Sequence, residues 1–156
     1  LTNLILITIT PPYVFLSIIN ALVILFLGFF VFKMPMEGSY ILLAFVSVLF
    51  IVTALSLGIL ISTISNSQQT AMMISLVGLM LPVIILSGFI FPVSSMPLPL
   101  QIISNIIPAK WFIIILKAIM LKGAGLFIIW KEILILIGMT VFFIILSIKK
   151  YKIRLE

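Results

Sequence analysis

The sequence predicts an all-α integral membrane protein with about four transmembrane helices and a re-entrant or interfacial helical hairpin. Of its 156 residues, 65% are hydrophobic and 8% are charged, whereas soluble globular chains are about 45–50% apolar and about 25% charged. No charged residue occurs between Glu37 and Lys110, an interval too long and too apolar for a small soluble fold. Because a spanning helix needs about 20 apolar residues, there is room for about four to six embedded segments.

The charged and reactive residues narrow the function further. Cysteine and histidine are absent and only three residues are acidic, which excludes thiol chemistry, disulfides, zinc sites and histidine bases. We therefore expect no catalytic and no metal site. The net charge of +6 fits membrane topology better than nucleic acid, because the basic residues gather only at the C-terminus. The chain begins with Leu1 and has no initiator methionine, so we expect a fragment that lacks upstream sequence.

The first span is expected at about 13–32. Proline is tolerated in the first turn of a helix and disfavours helix before it, so Pro11 and Pro12 predict a helix that begins near Pro12, with Tyr13 at the membrane interface. Residues 1–11 would then form a cytoplasmic elbow, or simply precede a helix start. The polar stretch 33–39 is expected to be a solvated loop.

The second span is expected at about 40–61. Ser47, Thr53, Ser56 and Gly58 recur along it, and small and hydroxyl residues let helix backbones approach closely, so they predict a packed interface. A polar, uncharged turn at 62–70 follows. Within it, Ser65 followed by Gln68 fits a capping box that would begin the third helix; the turn is either only a capped turn or a docking site for a soluble partner.

The third span, expected at 72–91, is followed by a stretch that breaks helix geometry several times. Pro82 inside the span predicts a kink. We call residues 87–97 the outer turn and interpret it as the hinge of a re-entrant gate at the rim of a cavity, where non-helical backbone can find partners. Gly88 and Pro92 would set its bend, and Phe89 and Phe91 would be its plugs; the alternative is a structural turn only. The predicted gate residues are Ser87, Gly88, Phe89, Phe91, Pro92, Met96 and Pro97.

The segment 98–121 is apolar but interrupted by prolines, which favours short, broken helices in a re-entrant or interfacial hairpin over a full span. Gln101, Ser104, Asn105 and Pro108 are spaced as one helical face. Lysine at mid-membrane is costly, so its lysines should reach water or line a wet cavity. The residues singled out in this outer region are Pro108, Lys110, Lys117, Lys122 and Gly123.

The last span is expected at about 133–148, after an interfacial belt at 130–132. The basic cluster that follows it at 149–154 marks the cytoplasmic side, so four crossings place both termini in the cytoplasm, and 33–39 and 91–131 outside. The predicted units are the elbow 1–11, three spans in 12–91, the outer re-entrant region 92–131, the last span 132–148 and the cytoplasmic tail 149–156.

Four motifs, in this order, resemble those of the permease subunits of ABC-2 type transporters, in particular the bacterial multidrug type. They are Pro-Tyr at 12–13, Leu-Ile-Ser-Thr at 60–63 with Gln-Gln-Thr-Ala-Met at 68–72, Leu-Ser-Gly-Phe-Ile-Phe-Pro at 86–92 with Met-Pro at 96–97, and Pro108 with Ile-Met-Leu-Lys-Gly-Ala-Gly-Leu at 119–126. The likeness covers essentially the whole chain. It departs from the family's usual pattern in having no basic residue at 8–10 or at 65–67, and in having Lys117 where an arginine is typical.

The resemblance implies the C-terminal part of a six-span subunit that pairs with a second permease copy, identical or related. It implies an inner-membrane exporter of a hydrophobic or amphipathic substrate, such as a drug or lipid, driven by a separate ATP-binding-cassette ATPase subunit that holds ATP and Mg. The chain itself has no phosphate-binding Gly-x-x-x-x-Gly-Lys-Ser/Thr loop and is expected not to be an enzyme. The residues implied to couple to the ATPase are Pro12, Tyr13, Ser65, Asn66, Gln68 and Gln69. No residue is assigned to substrate binding.

Two other functions remain open. An ion-coupled secondary transporter or channel usually carries acidic residues within its spans, whereas the three glutamates are expected in loops or at ends. An intramembrane hydrolase would need a nucleophile and a base, and only Ser104 or Ser87 with Lys110 or Lys117 is available.

Overall fold

The chain folds into helices alone over the part that the structure describes. The computed structural model describes the backbone of residues 2–155 and the side chains of residue 8 and of residues 11–150. The side chains of most of the predicted elbow, and of the tail beyond residue 150, lie outside the described residues. The helices are α1 Thr2–Phe30, α2 Tyr40–Ile64, α3 Gln68–Met73, a π-helix Ile74–Met80, α4 Leu81–Leu86, a 3-10 turn Val93–Ser95, α5 Leu98–Ser104, α6 Pro108–Lys122 and α7 Leu126–Leu155.

Among the described residues, four helical segments are long and apolar enough to cross a membrane: Pro11–Phe30, Tyr40–Ile64, Gln68–Leu86 and Leu126–Lys150. The third of these, which we call the third span, is built from α3, the π-helix and α4 in sequence. The helices α5 and α6 qualify only as a pair, and they are bent by 85° at the break between them. The prediction of an all-α membrane protein with about four spans is confirmed.

The buried core lies where α2, α6 and α7 meet. Leu43 and Val46 of α2, Ile115 and Ile119 of α6, and Leu136 of α7 are all almost fully buried in one cluster. Branched side chains of this kind contribute about 1.5–3 kcal/mol each when removed from water. Inside a bilayer that gain is replaced by van der Waals packing, because lipid tails are as apolar as leucine. We call these three helices the packed body.

The loop between α1 and α2 is fixed to the C-terminal end of α6. The backbone N–H of Glu37 donates to the carbonyl of Met120 at 3.1 Å. A Cβ on Gly38 would overlap the carbonyl oxygen of Ile119, and a Cβ on Gly123, whose φ is +59°, would lie 3.0 Å from the Glu37 carbonyl oxygen. Only glycine permits this approach at Gly38, and at Gly123 the left-handed backbone also favours glycine. The loop and the turn before α7 therefore lie at the same end of the bundle.

The predicted start of the first helix is wrong, because α1 runs from Thr2 through both prolines to Phe30. Each proline removes one backbone donor. In a helix that enters a bilayer, however, the remaining backbone groups have no other partners than each other, so the helix continues through the interruption. The membrane-length segment still begins at Pro11, close to the predicted interface position of Tyr13.

The predicted capping box is also wrong in its cap residue. Ser65 ends α2, because its hydroxyl donates to the carbonyl of Ile61 at 2.7 Å and its backbone N–H donates to the same carbonyl at 3.0 Å. The cap of α3 is Ser67, which has extended backbone angles and accepts from the N–H of Thr70 at 3.2 Å. An N-cap needs such an extended residue with a free oxygen, and the hydroxyl of Ser65 is already used by the helix before it.

Two span boundaries differ from the prediction. The third span ends at Leu86, five residues before Phe91, because the left-handed Gly88 follows at φ +82°. The last helix begins at Leu126, seven residues before Ile133, so the predicted belt at 130–132 lies inside it. The outer region therefore ends at the Gly123–Gly125 turn, because the apolar residues after Gly125 already belong to α7.

Pro82 is accommodated by a change of helix type. The π-helix Ile74–Met80 immediately precedes it, and Pro82 lies in the first turn of α4. Proline cannot donate to the carbonyl four residues earlier, and its ring clashes with that carbonyl in a regular α-helix. The wider π turns relieve this clash, and π segments inside α-helices are frequent at functional sites.

Candidate functional site

The outer turn leaves the third span through a buried pair and then exposes two aromatic rings. Leu86 and Ser87 are buried, and Gly88 adopts the left-handed conformation that reverses the chain. Phe89 is 74% exposed and Phe91 is 58% exposed. The structure thus places the predicted hinge residue at the bend. It leaves both predicted plugs without a covering partner among the described residues.

The second half of the outer turn leads directly into α5. Pro92 precedes the 3-10 turn Val93–Ser95, and Pro97 precedes α5. The side-chain amide of Gln101 donates to the carbonyl of Met96 at 2.8 Å, which satisfies a backbone group that no helix uses. The predicted gate residues therefore form one continuous turn that is tied to the next helix.

Helix α6 also holds the outer turn. The ammonium group of Lys117 lies 3.4 Å from the carbonyl oxygen of Gly88, across 29 positions of sequence. This contact joins the bend at the end of the third span to a helix of the packed body. Lys122 is exposed in the last turn of α6, and Gly123 ends that helix. Lys117, Lys122 and Gly123 thus lie in or directly after the half of α6 that contacts the outer turn and the α1–α2 loop. Pro108 and Lys110 lie at the other end of α6, beside the break from α5.

The break between α5 and α6 is held by a small polar cluster. Lys110 donates to the Ser104 hydroxyl at 3.2 Å and to the side-chain oxygen of Asn105, and the indole N–H of Trp111 donates to the Asn105 carbonyl at 3.0 Å. The predicted single helical face is wrong, because the helix breaks inside it. The proline at Pro108 favours extended backbone at the residue before it, and the chain bends there.

The pairing of Ser104 with Lys110 brings together one of the conceivable nucleophile and base pairs. Ser104 is fully buried, however, and its hydroxyl donates to the carbonyl of Gln101 at 2.6 Å. A nucleophile needs a face open to its substrate, and this one has none. The other lysine, Lys117, is engaged with Gly88. The contacts of Lys110 and Trp111 instead hold the end of α5 against the start of α6.

The implied coupling residues lie toward the opposite end of the bundle. Pro12 and Tyr13 are exposed on α1, and Ser65 is buried at the end of α2. Asn66 is exposed in the short α2–α3 turn, and the exposed residues Gln68 and Gln69 open α3. Exposed amides at the start of a helix are suited to a protein partner.

The hydroxyl pair between α2 and α7 was not expected from the sequence. The Thr53 and Thr140 hydroxyls are 2.6 Å apart and buried, and they also lie 2.9 and 2.8 Å from the carbonyls of Leu49 and Leu136. Two hydroxyl protons cannot serve all three contacts at once, so a hydrogen bond between the two hydroxyls leaves one of the two carbonyl contacts without a proton. Thr53 and Ser56 confirm the predicted packed face; Gly58 does not, since a Cβ there would meet nothing within 4 Å.

A cavity of about 700 Å³ between α1, α2 and α7 is a second unexpected feature. Its walls are apolar apart from Ser56 and Ser147. The Ser56 hydroxyl donates to the carbonyl of Thr53 at 2.7 Å. The Ser147 hydroxyl is buried and has no hydrogen-bond partner among the residues that the structure describes. We call this space the α1–α2–α7 cavity.

Glu132 is placed differently from the expectation that all glutamates lie in loops or ends. It lies within the spanning segment Leu126–Lys150 and is half-buried, and its buried Oε2 atom has no hydrogen-bond partner within the described part of the chain. The apolar run 126–129 before Glu132 is the sequence signal that indicates an earlier start of α7. Among the described residues, no group of three or more His, Cys, Asp or Glu side chains is placed to hold a metal ion.

The fold is that of a multi-pass helical membrane protein. Comparison with known proteins shows the family to which it belongs. The profile of the ABC-2 family transporter proteins matches residues 6–149. The chain is 38% identical over 145 residues to Probable multidrug ABC transporter permease YbhS of Escherichia coli (strain K12), which covers 93% of this chain and 38% of that protein. No solved structure matches it.

Two further relatives are also named as ABC transporter proteins. The chain is 34% identical over 129 residues to Probable multidrug ABC transporter permease YbhR of Escherichia coli (strain K12), covering 83% of this chain and 35% of that one. It is 30% identical over 135 residues to ABC transporter G family member 20 of Dictyostelium discoideum, covering 85% and 18%. The chain belongs to the ABC-2 transporter family, and it spans less than two fifths of the length of these relatives.

Proposed function

We propose that this chain is part of the membrane-spanning permease subunit of an ATP-binding-cassette exporter. In this proposal the subunit moves a hydrophobic or amphipathic substrate, such as a drug or lipid, across the cytoplasmic membrane. ATP and Mg are bound and used by a separate ATPase subunit. Two permease copies, identical or related, assemble around the transport pathway, and the C-terminus lies in the cytoplasm.

The observation that carries the proposal is the placement of the two distinctive turns at opposite ends of the third span. The α2–α3 turn begins this span, and the outer turn ends it. A push on Gln68 and Gln69 at one end would thus act on Gly88 through a single helical element. The packed body offers a fixed reference, because α2 and α7 are joined by buried contacts along their length.

The third span has the construction expected of a moving element. Its middle is the π-helix Ile74–Met80, which contains Gly78, and Pro82 follows. A π turn can convert to an α turn with a change of helical register, and a proline supplies a site of bending. We infer that closure of the ATPase dimer shifts the first half of the span and re-aims the outer turn.

The exposed side chains of the third span favour an apolar cargo of variable shape. Met72, Met73 and Met80 are more than half exposed, together with Leu76 and Val77. Methionine is flexible and polarisable and adapts to differently shaped ligands. No charged side chain lies within this span, so the surface offers no ionic partner to a substrate.

The experiment uses the full-length permease reconstituted with its ATPase in inside-out vesicles, with an apolar fluorescent dye as the probe. We expect dye accumulation that requires ATP and is lost when the phosphate-loop lysine of the ATPase is replaced. The double variant Gln68→Ala/Gln69→Ala is expected to lose dye transport while it still inserts, and Lys131→Ala, at an exposed position near the start of α7, serves as the control. Transport that continues without a functional ATPase would refute the proposal.

Glu132 supports a second candidate, an ion-coupled transporter. An acidic residue within a span with an unpartnered carboxylate oxygen is typical of ion or proton pathways. If ion coupling drives transport, dye movement persists in ATP-depleted vesicles under a proton or sodium gradient, and Glu132→Gln abolishes it. If the ATPase drives transport, Glu132→Gln leaves the ATP requirement unchanged and the gradient alone moves no dye.

A further inference from the structure

The unpartnered hydroxyl of Ser147 departs from the pattern of the other helix hydroxyls. Ser47, Thr53 and Thr140 each lie within hydrogen-bond distance of the carbonyl four residues earlier, at 2.8–2.9 Å. Ser147 makes no such bond although it is only 3% exposed. A buried hydroxyl left without a partner is destabilising, so a group that accepts or donates at this point would be bound favourably.

The space beside Ser147 has the size and chemistry of a site for an apolar chain. The α1–α2–α7 cavity holds about 700 Å³, within the range of about 300–1,000 Å³ found for ligand pockets. Pro11 and Phe15 of α1, Leu55 and Ile59 of α2 and Ile144 of α7 form apolar walls. A ligand that fills it must be mostly hydrocarbon and must carry one polar group at the depth of Ser147.

A positively charged residue follows Ser147 at the end of the span. Lys150 is exposed and follows Ser147 by three positions, which places it on the same side of α7 and about 4.5 Å further along the axis. Lys149 is also exposed but lies two positions after Ser147, about 200° around the helix. Lys150 thus lies on the side of α7 that carries Ser147, whereas Lys149 lies on a different side of the helix.

We propose that the α1–α2–α7 cavity binds one anionic phospholipid. An acyl chain fills the apolar space, an ester carbonyl accepts a hydrogen bond from the Ser147 hydroxyl, and the phosphate lies near the Lys150 ammonium group at the membrane surface. The order of chain, ester and phosphate along a phospholipid matches the order of cavity, Ser147 and Lys150 along α7. The site is separate from the exposed methionine surface of the third span and does not depend on how transport is powered.

The test is a lipid titration of the full-length permease in mild detergent, followed by native mass spectrometry. The probes are phosphatidylglycerol and phosphatidylcholine with the same acyl chains. We expect the first phosphatidylglycerol to bind more tightly than the first phosphatidylcholine. Ser147→Ala should weaken it by about two- to tenfold, as expected for one hydrogen bond, and Lys150→Ala should weaken it by about fivefold and reduce the preference between the two lipids.

Matched variants separate the site from general lipid contact. Lys149→Ala removes the same charge on another side of α7 and should retain the preference for phosphatidylglycerol over phosphatidylcholine. Ser47→Ala removes a hydroxyl of α2 that donates to its own helix, and this variant should bind the lipid as the wild type does. Ser147→Leu, and independently Leu55→Trp from the α2 wall, should fill the cavity and remove the tight first lipid, with thermal unfolding midpoints measured to verify folding.

Three results would overturn the proposal. The first is equal affinity for the two lipids. The second is unchanged first-lipid affinity in both cavity-filling variants, as expected if a segment of the full-length chain outside this structure occupies the space. The third is saturable binding of an uncharged dye that Ser147→Leu abolishes while phosphatidylglycerol binding stays the same.

Discussion

The four spanning segments are similarly apolar, yet they divide into two buried and two exposed ones. In Tyr40–Ile64 and Leu126–Lys150, 22% and 28% of the most apolar window is buried within the chain, whereas in Pro11–Phe30 and Gln68–Leu86 the shares are 0% and 6%. Hydropathy alone therefore does not distinguish a helix that packs from one that does not. The two spans that pack differ from the other two in carrying buried hydroxyl residues beside their buried branched side chains, so the placement of hydroxyls distinguishes the spans where hydropathy does not.

The hydroxyls that lie inside the packed body illustrate this rule. Thr53 and Ser56 of α2, with Thr140 of α7, are buried where the two helices meet. Such residues allow close backbone approach and can bond across it, which drives helix association in lipid. The faces of α1 and the third span are, by contrast, exposed among the described residues, and under the proposed function they are the surfaces that a second permease copy would contact.

The largest expected effect comes from breaking the packed body at Gly38. A side chain there would overlap the Ile119 carbonyl, and because that atom is backbone it cannot turn aside. Gly38→Leu should lower the free energy of unfolding by about 3 kcal/mol, measured by detergent-denaturant titration of the full-length protein. Gly58→Ala, in open space inside α2, should instead stabilise by about 0.5–1 kcal/mol. Equal effects of the two would show that Gly38 is not in contact with α6.

A smaller effect is expected at the hydroxyl pair. Thr53→Val and Thr140→Val should each cost about 1 kcal/mol, since the remaining hydroxyl can still donate to its own helix. A double-mutant cycle should give a coupling energy of about 0.6 kcal/mol. Additive effects would mean that the 2.6 Å contact between the hydroxyls contributes nothing to the α2–α7 interface.

The smallest effect on stability is expected where the packed body touches the outer turn. Lys117→Met removes an exposed contact with Gly88 and should change the unfolding free energy by about 0.5 kcal/mol or less. Its consequence should appear in transport, because the bend would lose its tie to α6. Phe89→Ala and Phe91→Ala should likewise alter transport or leak of the dye without preventing membrane insertion. Normal transport in all three variants would leave the outer turn a structural feature only.

Much of this architecture could be predicted from the sequence, because long apolar runs bounded by turn residues have few alternatives in a membrane. The bend at Gly88 and the turn at Gly123 follow from glycine chemistry, and both are observed at positive φ. The α1 start could not be found from Pro11 and Pro12, since a lipid-facing backbone continues its helix through prolines that would end it in water.

The features that sequence reasoning missed depend on contacts between distant segments. Thr53 and Thr140 are separated by 87 positions, and nothing local indicates that their hydroxyls meet. The overlap of Gly38 with Ile119 depends equally on how the loop is folded against α6. The prediction that Glu132 precedes the last span is wrong, because Lys131 and Glu132 do not interrupt the helix that begins at Leu126.

The measurement that tests the account most directly is the distance between spans in the absence of nucleotide and with the ATPase trapped in its ATP-bound state. The chain contains no cysteine, so spin labels can be introduced at exposed sites as Phe45→Cys in α2, Val141→Cys in α7 and Val77→Cys in the third span. The account predicts an unchanged distance between residues 45 and 141 and a shift of several ångströms between residues 45 and 77. A fixed distance to residue 77, or a shift of α2 against α7, would contradict it.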